Sequence, residues 1–196
     1  MAIVCYYSGM KNKLENGMDS SDQRGDCDHR AVLEEVYERY GSHLYRYALM
    51  ILADHGTAED AVHQAFMKAM KLGKHVLEIG SCDGYLRTVV RNECYGIIKK
   101  RQQSDSVVKI LSSQPILEKT SREIIGEDKR KLIEAAIRKL PANQREVLHM
   151  KVYEDKTFRE IGKMIGVSMN TAASRYRYAM DKLREILVLG DEAKEY

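Results

Sequence analysis

The fold of this chain is decided by residues 157–184, which read TFREIGKMIGVSMNTAASRYRYAMDKLR. Thr157 and Glu160 have the spacing of a capping box, in which the two side chains satisfy free N–H groups at the start of a helix. Gly166 suits a left-handed turn at a helix end, and Ser168 is a preferred N-cap for the helix that follows. The spacing therefore predicts a short helix, a tight turn and a long second helix.

The second of these helices is rich in small polar and basic side chains. Short hydroxyl and amide side chains near a helix start can approach base edges, and arginine binds phosphate or guanine. The candidate DNA-binding residues are Asn170, Thr171, Ser174, Arg175 and Arg177. An ordinary helical hairpin with a solvated polar face is the alternative. The capping box, the turn glycine and the basic second helix together favour a DNA-binding helix-turn-helix.

The rest of the chain also has a helical pattern. Of its 196 residues 44% are hydrophobic, which is enough for a packed core, and only two are proline. This composition favours helices and argues against a β-sandwich or barrel. Apolar residues recur every three or four positions from Ala31 to Leu52, and Thr57 with Asp60 predicts the capped start of another helix. We therefore expect an all-α protein.

Composition divides the chain into two small helical domains joined by a flexible linker. Polar residues 1–28 predict a disordered tail, residues 29–103 the first domain, the serine-rich segment 104–127 the linker, and residues 128–190 the second domain. The N-terminus lacks the basic start and apolar stretch of a secretion signal. No segment approaches the roughly 18 apolar residues that span a bilayer. We expect a cytoplasmic protein without membrane insertion.

Positive charge is concentrated in two segments, one in each half. The net formal charge of the whole chain is only +3, but residues 85–103 carry +4 and residues 156–184 carry +5. Two separate basic patches suggest a polyanionic partner that is contacted twice. Two solvated helix faces are the commoner explanation of such charge when it is considered alone.

No motif in the sequence indicates catalysis, a metal or a cofactor. The four cysteines are scattered without a C-x-x-C pair, which predicts reduced structural thiols rather than a zinc site or a disulfide framework. There is no nucleotide-binding loop, no His-Glu-x-x-His metal motif and no nucleophile with an evident base. We therefore expect no catalytic residue, no metal ligand and no cofactor, so the enzyme interpretation is poor.

Both halves resemble extracytoplasmic-function (ECF) sigma factors of the sigma-70 superfamily. The resemblance to region 4 is carried by LPxxxREVL (140–148), EIG (160–162), GVS (166–168), NT (170–171), SR (174–175) and KLR (182–184). The resemblance to region 2 is carried by LYRYA (44–48), AEDAVHQAF (58–66) and YLRTVVRN (85–92). The two matches lie in the order of the family with a linker between them, which makes them specific together.

The resemblance implies a factor that binds core RNA polymerase and promoter DNA to direct transcription initiation. Asp60 and Gln64 lie one helical turn apart, and this face is implied to dock on the β′ clamp helices of the polymerase, whose β subunit is a further implied contact. A role in the helix cap alone is the alternative for Asp60. An anti-sigma factor is also implied as a partner.

The promoter contacts are implied in both halves. Tyr85, Arg87 and Asn92, after the glycine-containing segment 73–84, are implied to capture an unpaired base of the minus-ten element, although Tyr85 could equally be a core aromatic. The five candidate residues of the second helix are implied to contact the minus-thirty-five element. The chain departs from the family pattern at Cys82-Asp83-Gly84-Tyr85-Leu86, Gly96, Ala173 and Tyr178.

A stand-alone helix-turn-helix regulator, with the first half as a sensor or dimerisation module, is the alternative function. Such a module needs neither the Asp60 and Gln64 face nor a basic helix over residues 85–101. Both features are present, so the sequence favours the sigma factor.

Overall fold

The computed structural model of the protein describes residues 26–71, 81–103 and 127–192. Within these ranges the chain forms seven α-helices and no strand, so the predicted all-α fold is confirmed. The helices are α1 (Asp26–Leu52), α2 (His55–Met70), α3 (Cys82–Gln103), α4 (Glu127–Arg138), α5 (Ala142–Val152), α6 (Phe158–Ile165) and α7 (Met169–Glu192). Residues 26–28, predicted as part of the tail, are helical. The rest of that tail, and all but the last residue of the predicted linker, lie outside the described residues.

Helix α2 begins three residues earlier than the sequence predicted. Its N-cap is Asp54, whose carboxylate accepts the Thr57 N–H at 2.9 Å, so Thr57 is the third helical residue and not the cap. The Thr57 hydroxyl donates to the same carboxylate at 2.7 Å. The predicted cap at Thr57 was wrong because Asp54, three residues upstream, accepts the N–H of Thr57 itself. Thr57 therefore lies inside the first turn of the helix.

Helices α1, α2 and α3 form the N-terminal half around a core of aliphatic and aromatic side chains. Its fully buried members include Leu44, Ile51, Ala61, Ala65, Leu86, Val90 and Cys94. The rings of Tyr37 and Phe66 pack 4.9 Å apart between α1 and α2. Burial raises the pKa of the Cys94 thiol to about 12, so this cysteine is an inert core side chain.

Helices α4 to α7 form the C-terminal half, which contains the predicted helix-turn-helix. Gly166 ends α6 in the left-handed conformation, with φ of 72°. At Gly162 a Cβ atom would lie 2.7 Å from the carbonyl oxygen of Val167, so only glycine lets the turn pack this closely on α6. The predicted turn is therefore confirmed, together with the glycine that its geometry needs.

The two halves pack directly against each other. Met50, near the end of α1, is buried among the C-terminal side chains Leu140, Leu148 and Leu183. In the other direction, Met150 belongs to the same buried cluster as Leu44 and Phe66. None of the described helices combines the length and hydropathy needed to cross a membrane.

Candidate nucleic-acid interface

Each of the two helices of the helix-turn-helix begins with a side-chain cap. In α6 the Thr157 N–H donates to Glu160 Oε2 at 2.7 Å, and the Glu160 N–H donates to Thr157 Oγ1 at 3.3 Å, which confirms the capping box. Hydrogen bonds from the side chain and main chain of Thr157 lower the pKa of Glu160. At the start of α7 the Thr171 N–H donates to Ser168 Oγ at 3.0 Å, as predicted for that cap. The cap at Ser168 therefore satisfies a free N–H group at the start of α7, directly after the turn.

The five candidate residues of α7 do not share one degree of exposure. Asn170, Thr171 and Arg177 are exposed, whereas Ser174 and Arg175 are half-buried. The inward face of α7 is formed by Ala172, Ala179 and Leu183, which are buried. The polar face of the helix is therefore divided between residues open to solvent and residues that lie nearer the rest of the protein.

Two apolar side chains beside these candidates were not assigned a contact from the sequence. Met169, the first residue of α7, is 49% exposed, and Tyr178 is 56% exposed. The Arg177 guanidinium lies over the Tyr178 ring, 5.4 Å from its centroid. Met169 could have been noticed in the sequence as an apolar residue at the first position of the second helix. Apolar side chains at this position can contact the thymine methyl group.

In α3 the three candidate minus-ten residues fall on two faces. Tyr85 and Asn92 are seven residues apart and share one face, with Tyr85 half-buried against the core and Asn92 exposed. Arg87 lies on another face and is only 5% exposed. The structure therefore brings Tyr85 and Asn92 together along one side of α3 and turns Arg87 toward the C-terminal half.

Asp60 and Gln64 are both exposed on α2, opposite the buried residues Ala61, Ala65 and Phe66. The cap of α2 is formed by Asp54, not by Asp60. This geometry leaves the Asp60 and Gln64 face available to another molecule.

The carboxylate of Glu146 is buried in a pocket of the N-terminal half. Glu146 lies in α5 and is fully buried, and its Oε1 accepts hydrogen bonds from the Tyr47 hydroxyl at 2.5 Å and from Arg91 Nε at 2.7 Å. Its Oε2 accepts the Tyr95 hydroxyl at 2.8 Å. The net effect of the surroundings is to raise the pKa of Arg91. Burial alone would lower this pKa, but the hydrogen bond to Glu146 and the charge of Glu146 outweigh the effect of burial. Both phenols are held neutral, because burial and the charge of Glu146 raise the pKa of Tyr47 and of Tyr95.

A second carboxylate, that of Glu154, binds Arg87 where the two halves of the protein meet. Arg87 Nη1 donates to both Glu154 oxygens, at 2.7 and 2.9 Å, and the guanidinium lies 5.2 Å from the Tyr47 ring centroid. His149 Nε2 lies 3.3 Å from Glu154 Oε1. Burial raises the pKa of Glu154, but His149 and Arg87 overcome that effect and hold the pKa at about 2.

Arg145 also connects the two halves, because its guanidinium donates hydrogen bonds to main-chain carbonyl groups at the end of α1. Its guanidinium donates to the carbonyl oxygens of Met50 at 2.8 Å, Leu140 at 2.6 Å and Ile51. Arg138 Nη1 donates to the Ala53 carbonyl oxygen at 2.6 Å. The last carbonyls of a helix have no partner within it, so these arginines satisfy acceptors that would otherwise need water. Arg145 and Glu146 belong to a motif of the family resemblance, but no role was predicted for them from the sequence. The feature that could have pointed to them is a pair of charged residues directly before the apolar residues Val147 and Leu148.

Comparison with known proteins finds a family match in each half of the chain. The family described as "Sigma-70 region 2" matches residues 36–104, and that described as "Sigma-70, region 4" matches residues 136–185. The chain is 27% identical over 158 residues to the ECF RNA polymerase sigma factor SigL of Mycobacterium tuberculosis, covering 79% of this chain and 88% of SigL. It is 20% identical to SigK of Mycobacterium bovis, covering 89% of this chain and 96% of SigK.

A solved structure has a similar fold over most of this chain. It is the sigma factor RpoE in complex with the anti-sigma factor NepR from Bartonella quintana. The TM-score is 0.62 at 26% sequence identity, covering 79% of this chain and 95% of that chain. The match in the N-terminal half favours the sigma factor over the stand-alone regulator. With both regions matched in order on a helical fold, the chain belongs to the ECF sigma factors of the sigma-70 family.

Proposed function

We propose that the two halves of this sigma factor divide promoter recognition between them, each through one helix. Helix α7 reads the minus-thirty-five element and helix α3 contacts the minus-ten element, while α2 docks on core RNA polymerase. The observation that carries this proposal is the helix-turn-helix of α6 and α7. Gly166 forms its turn, Ser168 caps α7, and the first polar residues of α7, Asn170 and Thr171, are exposed. A helix-turn-helix places this part of its second helix in the major groove.

In the minus-thirty-five site, we assign base contacts to the first two turns of α7. Asn170 and Thr171 are exposed at the helix start, and Ser174 and Arg175 follow on the next turn. Met169 adds an exposed apolar side chain suited to a thymine methyl group. Arg177 lies further round the helix beside Tyr178, where it is placed to bind phosphate.

In the minus-ten site, Tyr85 and Asn92 form the base-capturing face of α3. The half-buried ring of Tyr85 offers a stacking surface, and the exposed amide of Asn92 offers hydrogen bonds to a base edge. Extracting a base from its stack costs a few kcal/mol, and these contacts would return that energy. Arg87, the third minus-ten candidate, is 5% exposed and bound to Glu154, so it lies outside this face. Most of the segment 73–84, expected to take part in capture, lies outside the described residues.

For the polymerase, the proposed docking face is Asp60 and Gln64 on α2, directed to the β′ clamp helices. Both side chains are exposed and one turn apart, and the cap of the helix does not use them. The β subunit is the second proposed contact. Because RNA polymerase works in the cytoplasm, we place this factor there, acting as an initiation factor without enzymatic activity of its own.

We further propose that an anti-sigma factor holds this protein inactive. The support is the likeness to RpoE, which was solved in complex with the anti-sigma factor NepR.

The decisive experiment is transcription in vitro with core polymerase on a library of promoter sequences. Transcripts that start from a defined subset, and only with the factor present, support the proposal. Binding to DNA without any polymerase-dependent transcript would instead support the stand-alone regulator. The variant Asp60→Arg, which keeps α7 unchanged, should lose the transcripts and keep the DNA binding of the C-terminal half.

A further inference from the structure

The proposed promoter contacts leave Tyr178 of α7 without a role. It is the most exposed large apolar side chain among the described residues, with 56% of its surface open to solvent. The same helix carries Tyr176, whose ring packs 5.6 Å from that of Phe158 against the core. Packing therefore accounts for one of these two tyrosines and leaves the other directed into solvent. A single exposed apolar residue is ordinary on a protein surface, so its position and neighbours decide what it can bind.

Tyr178 lies on the side of α7 that is proposed to face DNA. It follows Thr171 by seven residues and Ser174 by four, so the three side chains share one face of the helix. At 1.5 Å per residue, Tyr178 lies about 10 Å beyond Thr171 along the helix axis. The major groove is about 12 Å wide and is bordered by the two phosphate backbones. With Thr171 directed to the bases, the side chain of Tyr178 therefore lies at the edge of the groove, beside phosphates.

The nearest basic group on this surface is Arg177, whose guanidinium lies 5.4 Å from the centre of the Tyr178 ring. An aromatic ring attracts a guanidinium without supplying an acceptor oxygen, so the N–H donors of Arg177 remain available to phosphate. The acidic residue of the next turn, Asp181, binds Arg184 at 3.2 Å. The ring of Tyr178 therefore restricts where the Arg177 guanidinium lies, while both side chains keep hydrogen-bond donors for a ligand.

We propose that Tyr178 is a further DNA-binding residue, whose hydroxyl donates to a backbone phosphate at the edge of the minus-thirty-five element and whose ring holds Arg177 toward a neighbouring phosphate. The inference rests on the proposed role of α7 in reading that element. Tyrosine hydroxyls are among the groups that bind phosphate oxygens in protein–DNA complexes. Because the hydroxyl is neutral, this contact adds affinity without adding to the salt dependence that arises from each lysine or arginine bound to phosphate.

A protein partner is the other class of molecule that an exposed tyrosine can bind, because tyrosine is enriched in protein–protein interfaces. The centre of such an interface is depleted in charged residues. The neighbours of Tyr178 on the outer surface of α7 are instead polar or charged, namely Thr171, Ser174, Arg177, Asp181 and Lys182. Protein–DNA interfaces are more polar and more positively charged than protein–protein interfaces, so these neighbours favour DNA.

The first test measures the affinity of the factor, assembled with core polymerase, for a promoter duplex at several salt concentrations. Tyr178→Phe removes only the hydroxyl and should weaken binding about threefold to tenfold, the effect of one hydrogen bond, with an unchanged salt slope. Tyr178→Lys should retain binding at low salt and steepen the salt slope by roughly one, because its contact is charged. Tyr153→Phe removes the hydroxyl of an exposed tyrosine outside α6 and α7 and should change neither quantity.

The second test locates the contact on the DNA and measures its coupling to Arg177. Replacing single phosphates by neutral methylphosphonates should, at one position beside the minus-thirty-five element, weaken the wild type more than it weakens Tyr178→Phe. Arg177→Ala should cost less affinity in a Tyr178→Ala background than in the wild type, because the ring that holds the guanidinium is already absent.

Wild-type affinity of the Tyr178→Phe holoenzyme would overturn the hydroxyl contact, and additive losses for Arg177→Ala and Tyr178→Ala would overturn the hold on Arg177. A loss confined to particular base sequences would overturn the phosphate assignment. Weaker assembly with core polymerase, with unchanged DNA affinity of the assembled holoenzyme, would assign Tyr178 to a protein contact instead. The proposed function fails separately, if the wild-type holoenzyme shows no preference among minus-thirty-five sequences.

Discussion

Arg145 Nε donates to the main-chain carbonyl oxygen of Met50 at 2.8 Å, although 95 residues separate the two in the chain. The same guanidinium also donates to the carbonyl oxygens of Ile51, Leu140 and, at 3.2 Å, Arg138. One side chain therefore satisfies the end of α1 and the end of α4 together. Burial lowers the pKa of Arg145 to about 10, so it remains charged at neutral pH.

Arg145→Met should destabilise the protein by about 3 kcal/mol, because it leaves several buried carbonyl groups without a donor. The measurement is urea unfolding of the full chain at neutral pH. Arg159→Met, which removes an exposed arginine from α6, should change the free energy of unfolding by less than about 0.5 kcal/mol. Equal effects of the two substitutions would show that the carbonyl contacts contribute nothing to stability.

Glu154 should make the protein lose stability in acid. Its pKa is held at about 2, below the ordinary 4.5, because His149 and Arg87 outweigh the opposing effect of burial. A depressed carboxyl pKa contributes stability above the unfolded pKa, and that stability is lost as the pH falls from about 4.5 to about 2. The contribution at neutral pH is about 3 kcal/mol, at 1.36 kcal/mol per pKa unit.

The check is urea unfolding of wild type and Glu154→Gln at pH 6 and pH 3. The variant should be less stable at pH 6 and lose less between the two pH values, because glutamine has no proton to gain. If both proteins lose the same free energy on acidification, Glu154 is not the group responsible. Other carboxylates cancel in the comparison, since they are common to both proteins.

The features that could be predicted from sequence are those set by neighbouring residues. The capping box of Thr157 and Glu160, the turn at Gly166 and the cap at Ser168 each depend on groups within four positions, and all three are confirmed. The start of α2 was misplaced because Asp54 and Thr57 are both good caps and only the folded geometry chooses between them. The choice depends on where α1 ends.

The contacts between the halves could not be predicted, because periodicity carries no information about distant partners. Tyr47 and Glu146 are 99 residues apart, and Arg87 and Glu154 are 67 apart. In the sequence, Arg87 reads as one more charge of a basic helix. Its pairing with Glu154 depends on how α5 lies across α1 and α3, which is a property of the packed chain.

Asp60→Arg should weaken binding to core RNA polymerase without unfolding the protein. Asp60 is exposed on α2, outside the core and outside the cap, so a reversed charge there alters only what docks on that face. Co-purification with the β′ subunit measures the binding, and circular dichroism confirms the fold. Glu38→Arg makes the same charge reversal at an exposed site of α1 and should retain binding. Normal recovery of β′ with a folded Asp60→Arg protein would reject the docking face.

Asn92→Ala should impair open-complex formation more on duplex promoters than on pre-melted ones. Melting is the step that needs a captured base, and a template that is already open does not require it. The rate of open-complex formation on the two templates is the measurement. Gln102→Ala, which removes an exposed amide near the end of the same helix, should affect neither. Equal losses on both templates would assign Asn92 to packing of α3 instead.

Substitutions of Arg175 and Arg177 should affect DNA binding in different ways, because the two residues lie on different sides of α7. Arg175→Ala should cost about 1–3 kcal/mol and relax the preference at one base pair, as expected for a bidentate contact to guanine. Arg177→Ala should weaken binding to all sequences alike and reduce the salt slope by roughly one, as expected for one phosphate contact. The measurement is binding of each variant to a matched set of minus-thirty-five sequences at several salt concentrations. A uniform loss for Arg175→Ala, with the sequence preference unchanged, would remove it from the base-reading set.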